Sequence, residues 1–98
     1  MIKIKDILFA EDFWSDWDHV PPSIQKRFNE DVEKIVQARQ LLPSINAHKI
    51  KNHEGGWWIG YISVGVYAWR FIFSMSSSGT MVIERILSHN SMDKLLLR

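Results

Sequence analysis

The residues with the clearest capacity for chemistry are two arginines in neighbouring segments of the second half of the chain. The SSSG cluster predicts a tight turn, and in the simplest hairpin around it Met75 pairs with Thr80. This register places Arg70 directly opposite Arg85. Like charges in such a pair destabilise a sheet, whereas an anion between two guanidinium groups offsets their repulsion, and phosphate matches their planar geometry. The pair therefore predicts a phosphate site on one face of the hairpin.

A histidine follows the second arginine on the same face. His89 continues the alternation of the strand, and an imidazole that titrates near neutral pH can serve as a general acid or base. Three alternatives stay open. A carboxylate such as Glu54 neutralises the arginines, the strands slip by one residue and separate them, or His89 is a structural histidine.

A short basic run, HKIKNH, precedes the sheet. Its lysines, Lys49 and Lys51, are candidate contacts to a nucleic-acid backbone, and a solvated connector is the alternative interpretation. The spacing of His48 and His53 fits neither a helix face nor a strand face, and the chain has no cysteine. We therefore predict no metal site and no other cofactor.

Composition limits the class of protein. The chain has 98 residues, of which 46% are hydrophobic, and it contains five Trp and five Phe, which predicts one globular domain over residues 1–98. No apolar run is long enough to cross a bilayer, and no secretory signal is evident. The net charge is only +1, which does not indicate a generally nucleic-acid-binding surface. We expect a cytoplasmic protein.

The period of the hydrophobic residues changes along the chain and predicts the elements that position these side chains. Residues 2–9 alternate as a strand, residues 10–39 have helical spacing interrupted by Pro21-Pro22, and Ser23 can cap the second helix. From residue 57 the period is two, with three strands and then a short terminal helix or tail. The predicted fold is α+β, with an N-terminal strand and a helical hairpin packed on an antiparallel β-sheet. Its predicted core comprises Phe28, Val32, Ile35, Trp69, Phe71 and Phe73.

The order of these elements, with three sequence segments, resembles the RelE/ParE superfamily of bacterial toxins. The segments are LLPSINAHKIK, WWIGYISVGVYAWRFIFSM and TMVIERILSHNSMDKL. The stretch WRFIF matches the sheet motif of the family, which is centred on an arginine, and ILSHN lies where the last motif begins. The resemblance covers nearly the whole chain, and its specificity lies in the order and spacing of short motifs.

The resemblance implies the toxin of a type II toxin–antitoxin pair, held inactive by a cognate antitoxin protein. RelE-like members cleave mRNA on the ribosome without a metal, using basic side chains to activate the 2′-hydroxyl and to stabilise the charge of the phosphorane. ParE-like members instead poison DNA gyrase. The resemblance implies no membrane partner.

The resemblance also assigns roles to residues. Arg70 occupies the position of the sheet arginine, and His89 lies near the late basic position, where it could act as the acid on the leaving 5′ oxygen. Together with Arg85 they form the predicted catalytic set of an mRNA endoribonuclease. Lys49 and Lys51 are the predicted RNA contacts.

Several residues depart from the family pattern. Asn90 stands where many members have arginine, Leu95 stands where many have a terminal tyrosine, and the strand WWIGY lacks the lysines that some ribosome-dependent members carry. An alternative therefore stays open: a ParE-like gyrase poison, or a catalytically degenerate member that acts only through protein binding.

Overall fold

The computed structural model describes residues 3–50, 56–62 and 69–96. None of the helices in these ranges is long and apolar enough to span a membrane. A short 3-10 helix at Pro43–Ile45 lies between the helical and the strand-rich parts of the chain. The other elements are β1 (Asp6–Phe9), α1 (Glu11–Trp17), α2 (Pro22–Ala38), β2 (His48–Lys49), β3 (Trp58–Tyr61), β4 (Trp69–Met75), β5 (Thr80–Ser88) and α3 (His89–Leu96).

These strands form one sheet in the order β1-β5-β4-β3-β2. The predicted α+β fold and helical hairpin are confirmed, and the terminal segment forms a helix rather than a tail. Two features of the sheet were not predicted. The N-terminal strand pairs with β5 in parallel, and the start of the basic run forms the edge strand β2, which pairs with β3 rather than remaining a connector.

The boundaries of α2 follow from local backbone chemistry. Pro22 occupies the first helical position, where its fixed φ and its missing N–H cost nothing, so Pro21 rather than the predicted Ser23 is the N-cap. The helix ends at Ala38, because Arg39 adopts a left-handed conformation with φ 55°. The N–H of Ile4 then donates to the Arg39 carbonyl at 2.9 Å, which joins the end of α2 to the chain before β1.

The face of the sheet that α1 and α2 cover carries the main core. The ring centroids of Phe28 on α2 and Phe71 on β4 lie 5.4 Å apart in an edge-on contact, and burial of each such ring contributes about 1.5–3 kcal/mol to stability. The predicted core is confirmed: its members share one cluster, with four buried and two partly buried. The buried residues are Phe28, Ile35, Phe71 and Phe73, and the partly buried ones are Val32 and Trp69.

The turn between β4 and β5 is longer than predicted. Met75 pairs with Met81 and not with Thr80. The extra residue is taken up by the turn itself, in which the Ser76 N–H donates to the Thr80 carbonyl at 2.9 Å. Gly79 adopts φ 94°, which a residue without a side chain tolerates. The predicted register therefore already fails by one residue at the turn.

A second shift lies at Glu84. The pairing with β4 passes from Ile83 directly to Arg85, so Glu84 forms a bulge within the described hairpin. The predicted pairing of Arg70 with Arg85 is wrong, because Arg70 lies opposite Leu87. The two shifts add up to two residues, however, which is one full period of the alternation of side chains between the faces. Both arginines therefore remain on the face opposite the helical core.

A buried carboxylate, that of Asp16, anchors the first helix to β5. Arg85 donates from Nε and Nη2 to the two oxygens of Asp16 at 2.7 and 2.9 Å. The Ile86 N–H donates to Oδ2 of the same carboxylate at 3.1 Å. The hydrogen bond that Arg85 donates to Asp16 raises the pKa of the Arg85 guanidinium. Since β1 pairs only with the first part of β5, Asp16 satisfies a backbone group on the edge that β1 leaves uncovered.

Removal of this carboxylate should destabilise the fold. We expect Asp16→Ala to lower the free energy of unfolding by about 2–3 kcal/mol, because a charged hydrogen bond and a backbone partner are lost together. Asp16→Asn keeps one acceptor and should lose less. Urea denaturation measures both. The exposed Asp18 provides the control, and Asp18→Ala should stay within about 0.5 kcal/mol of the wild type. Equal effects at the two positions would contradict the anchoring role.

Candidate functional site

The helix α3 lies on the second face of the sheet, next to the predicted arginines. Ser88 caps it, since its Oγ accepts from the Ser91 N–H at 3.4 Å. Met92 is fully buried and packs against Ile59 on β3 and Ile72 on β4. A small second core therefore fixes α3 over β3 and β4.

One carboxylate on α3 joins two of the predicted catalytic residues. Asp93 Oδ2 lies 3.3 Å from His89 Nε2, because the two residues are four apart and share one side of the helix. Its other oxygen, Oδ1, lies 3.9 Å from Arg70 Nη1. The structure thus brings Arg70 and His89 into one cluster, and it does so through a residue that the sequence analysis did not identify.

A tyrosine and a second histidine extend the cluster towards the sheet edge. Tyr61 pairs with Arg70 across β3 and β4, and the guanidinium carbon lies 4.7 Å from the centre of the Tyr61 ring, which is a cation–π contact. The Tyr61 hydroxyl lies 2.9 Å from His48 Nε2. We call the five residues of this chain of contacts the Arg70 site: His48, Tyr61, Arg70, His89 and Asp93.

A pocket of about 290 Å³ opens beside the guanidinium. Isoleucines and a leucine supply apolar walls, and histidine, lysine, tyrosine and arginine supply polar groups at the same opening, a composition typical of ligand pockets. Lys49 is among the lining residues, whereas Lys51 lies outside the described residues. The lining residues are His48, Lys49, Ile50, Ile59, Tyr61, Arg70 and Leu96.

The Arg70 site also contains buried nitrogen atoms that form no hydrogen bond with the described residues. Among the residues that the structure describes, the buried side-chain polar atoms without a partner are Arg70 Nε and His89 Nδ1. A buried donor without a partner costs about 1–3 kcal/mol. Two such atoms in one cluster therefore indicate a site adapted to a ligand rather than to stability.

The third predicted catalytic residue lies elsewhere. Arg85 borders a separate depression with Ser91 and Lys94, on the other flank of α3 from Asp93, and its guanidinium is held by Asp16. Two register shifts moved it away from Arg70, and a carboxylate 69 residues distant in sequence took up its charge. The alternative carboxylate Glu54 lies outside the described residues.

The chemistry available in the Arg70 site is acid–base and electrostatic. Arg70 is a cation with 19% of its side chain exposed, so it can meet an anion in surroundings that screen charge weakly. The two histidines supply imidazole nitrogens, a group that can act as a general acid or base. Across the described ranges, no group of three His, Cys, Asp or Glu side chains is arranged to hold a metal ion.

Sequence patterns alone gave little sign of the additional members. Tyr61 was part of a predicted strand without an assigned role, and His48 was considered only for its spacing to His53. The i,i+4 spacing of His89 and Asp93 was the one signal that could have linked two members of the site.

The fold is similar to several solved toxin structures. No protein-family model matches the sequence, and no curated protein matches it. A chain of the RelB-RelE antitoxin-toxin complex from Methanococcus jannaschii superposes with a TM-score of 0.73 at 25% identity, over 90% of this chain and 96% of that one. The YoeB/ParE toxin from Agrobacterium tumefaciens gives 0.62 at 15% identity, over 87% and 99%. A chain of the E. coli DinJ-YafQ toxin-antitoxin complex gives 0.62 at 14%, over 93% and 98%.

These similarities extend over nearly the full length of both chains in each comparison. They agree with the order of motifs in the sequence, which independently indicated the same group. The chain thus has the fold of the RelE/ParE-type toxins.

The contact between Tyr61 and Arg70 can be measured directly. A double-mutant cycle with Tyr61→Leu and Arg70→Met should give a coupling of about 0.5–1 kcal/mol in the free energy of unfolding. A matched cycle that combines Tyr61→Leu with Arg85→Met should give a coupling near zero, because Arg85 lies on the other flank of α3. Equal couplings in the two cycles would exclude a specific Tyr61–Arg70 contact.

Proposed function

We propose that this chain is the toxin of a type II toxin–antitoxin module and that it inhibits translation by metal-independent cleavage of mRNA on the ribosome. One observation carries the proposal. Arg70 and His89 meet in one cluster beside a pocket, and each has a buried nitrogen without a partner among the described residues. The similarity of the fold to RelE-type toxins supports the choice of substrate class.

The proposed reaction is attack by a ribose 2′-hydroxyl on the adjacent phosphorus. The O2′–P bond forms and the P–O5′ bond breaks, which yields a 2′,3′-cyclic phosphate and a 5′-hydroxyl. Arg70 stabilises the negative charge of the phosphorane, and His89 gives a proton to the departing O5′. His48 lies at the opposite end of the chain of contacts and is the proposed acceptor of the 2′-hydroxyl proton.

The remaining cations are assigned by their positions. Lys49 lines the pocket and is a proposed contact to the RNA backbone, and Lys51 keeps that role as a proposal from the sequence. Arg85 is assigned to the anchor between α1 and β5, because its guanidinium already has a bidentate carboxylate partner.

The proposed partners are the ribosome, its bound message and a cognate antitoxin protein in the cytoplasm. Two of the similar structures are complexes of a toxin with its antitoxin. Co-expression with the cognate antitoxin should therefore restore growth and yield a complex that co-purifies. Growth arrest that persists at matched expression, with no complex formed, would contradict the pairing.

Substitution in the Arg70 site tests the reaction. After induction, primer extension on ribosome-bound message should show new 5′ ends for the wild type. Arg70→Ala should lower the cleavage rate about 10²–10³-fold through lost stabilisation of the phosphorane, and His89→Ala about 10²–10⁴-fold through lost proton transfer. The controls, Lys26→Ala and His19→Ala, change exposed residues of the helical half and should cleave like the wild type.

The other outcomes decide between the alternatives. Growth arrest with intact message and inhibited supercoiling by gyrase would replace the nuclease with a ParE-like poison. Intact message and normal growth, with antitoxin binding retained, would identify a degenerate member that acts through protein binding only.

A further inference from the structure

We propose that the Asp93 carboxylate competes with the substrate phosphate for Arg70 and His89. It occupies the anion-binding position of the Arg70 site until an anion displaces it. This inference rests on the proposed function, because it assigns Arg70 and His89 to the phosphate. It adds a residue that controls access to the site and that the resemblance to known toxins does not assign.

The two oxygens of Asp93 are divided between Arg70 and His89. Oδ1 lies 3.9 Å from Arg70 Nη1, and Oδ2 lies 3.3 Å from His89 Nε2. A phosphate that received the guanidinium and the imidazole together would need the same two nitrogens. The carboxylate therefore occupies the place of the anion.

The contact with Asp93 also makes His89, the proposed general acid, unavailable to the substrate. His89 Nε2 faces Asp93, and Nδ1 is buried with no partner in the described part of the chain. Arg70 lines the pocket but His89 does not. For His89 to protonate a leaving oxygen, Asp93 must release the ring first.

A change of side-chain conformation is sufficient for this release. Asp93 is 47% exposed, so its carboxylate can turn into water without a large loss of burial. The preceding residue, Met92, is fully buried in the second core, and it holds α3 on the sheet while the carboxylate moves. The competitor is thus a side chain and not the whole helix.

A purely positioning role would give the opposite result. A carboxylate that orients His89 for catalysis helps the site, so its loss would weaken both anion binding and cleavage. A competitor hinders the site, so its loss strengthens anion binding. The sign of the effect separates the two roles.

The test is a titration of the purified full-length chain with inorganic phosphate at constant ionic strength, followed by NMR of the Arg70 and His89 side chains. Two unit charges about 4 Å apart repel enough, even in water, to change affinity about fivefold. We expect Asp93→Asn and Asp93→Ala to bind phosphate at least about fivefold more tightly than the wild type. Asp6→Asn makes the same change of charge on β1, two strands from β4, and should stay within about twofold.

Unchanged or weaker phosphate binding by both Asp93 variants would overturn the proposal, as would the absence of detectable binding by variants that circular dichroism shows to be folded. The titration needs neither ribosome nor message. Tighter phosphate binding by the Asp93 variants, combined with intact message in the primer-extension assay, would support the competing role of Asp93 and contradict the proposed nuclease activity. Cleaved message with no gain in phosphate binding would support the nuclease activity and contradict the competing role of Asp93.

Discussion

The register of the β4–β5 hairpin is the constraint on which the rest of the structure depends. These strands are the centre of the sheet, and they carry the aromatic core on one face and both arginines on the other. A single shift of one residue would have turned Arg70 into the core. The extra turn residue and the bulge at Glu84 each shift the pairing by one, so together they preserve the faces and separate Arg70 from Arg85 along the strands.

Two aspartates then decide what each arginine does. Asp16 is nearly buried, with 9% of its side chain exposed, and it binds Arg85 in a bidentate geometry at 2.7 and 2.9 Å. Asp93 is 47% exposed and lies 3.9 Å from Arg70. A short bidentate pair with a buried carboxylate resists a competing anion, whereas a long pair whose carboxylate is half exposed exchanges readily. One arginine therefore stabilises the fold, and the other can serve a ligand.

Much of this arrangement follows from local patterns in the sequence. Helical spacing predicted α1 and α2, alternation predicted the strands from residue 58 onwards, and their apolar faces predicted a core of Phe28, Phe71 and Phe73. The arginine at the centre of WRFIF and the histidine of ILSHN were both identified as candidate site residues. Such features depend on neighbours within a few positions of the chain, so periodicity and residue type are enough to reveal them.

The sequence by itself thus determined the elements, their buried faces and two members of the site. Only the tertiary structure decided the parallel pairing of β1 with β5, the bulge at Glu84 and the contacts that complete the Arg70 site. Tyr61 reaches Arg70 across a strand pair, and Asp16 reaches Arg85 from 69 residues away. Pairings of this kind depend on how whole elements pack, and a difference of one residue in a turn, which costs little free energy locally, is enough to redirect them.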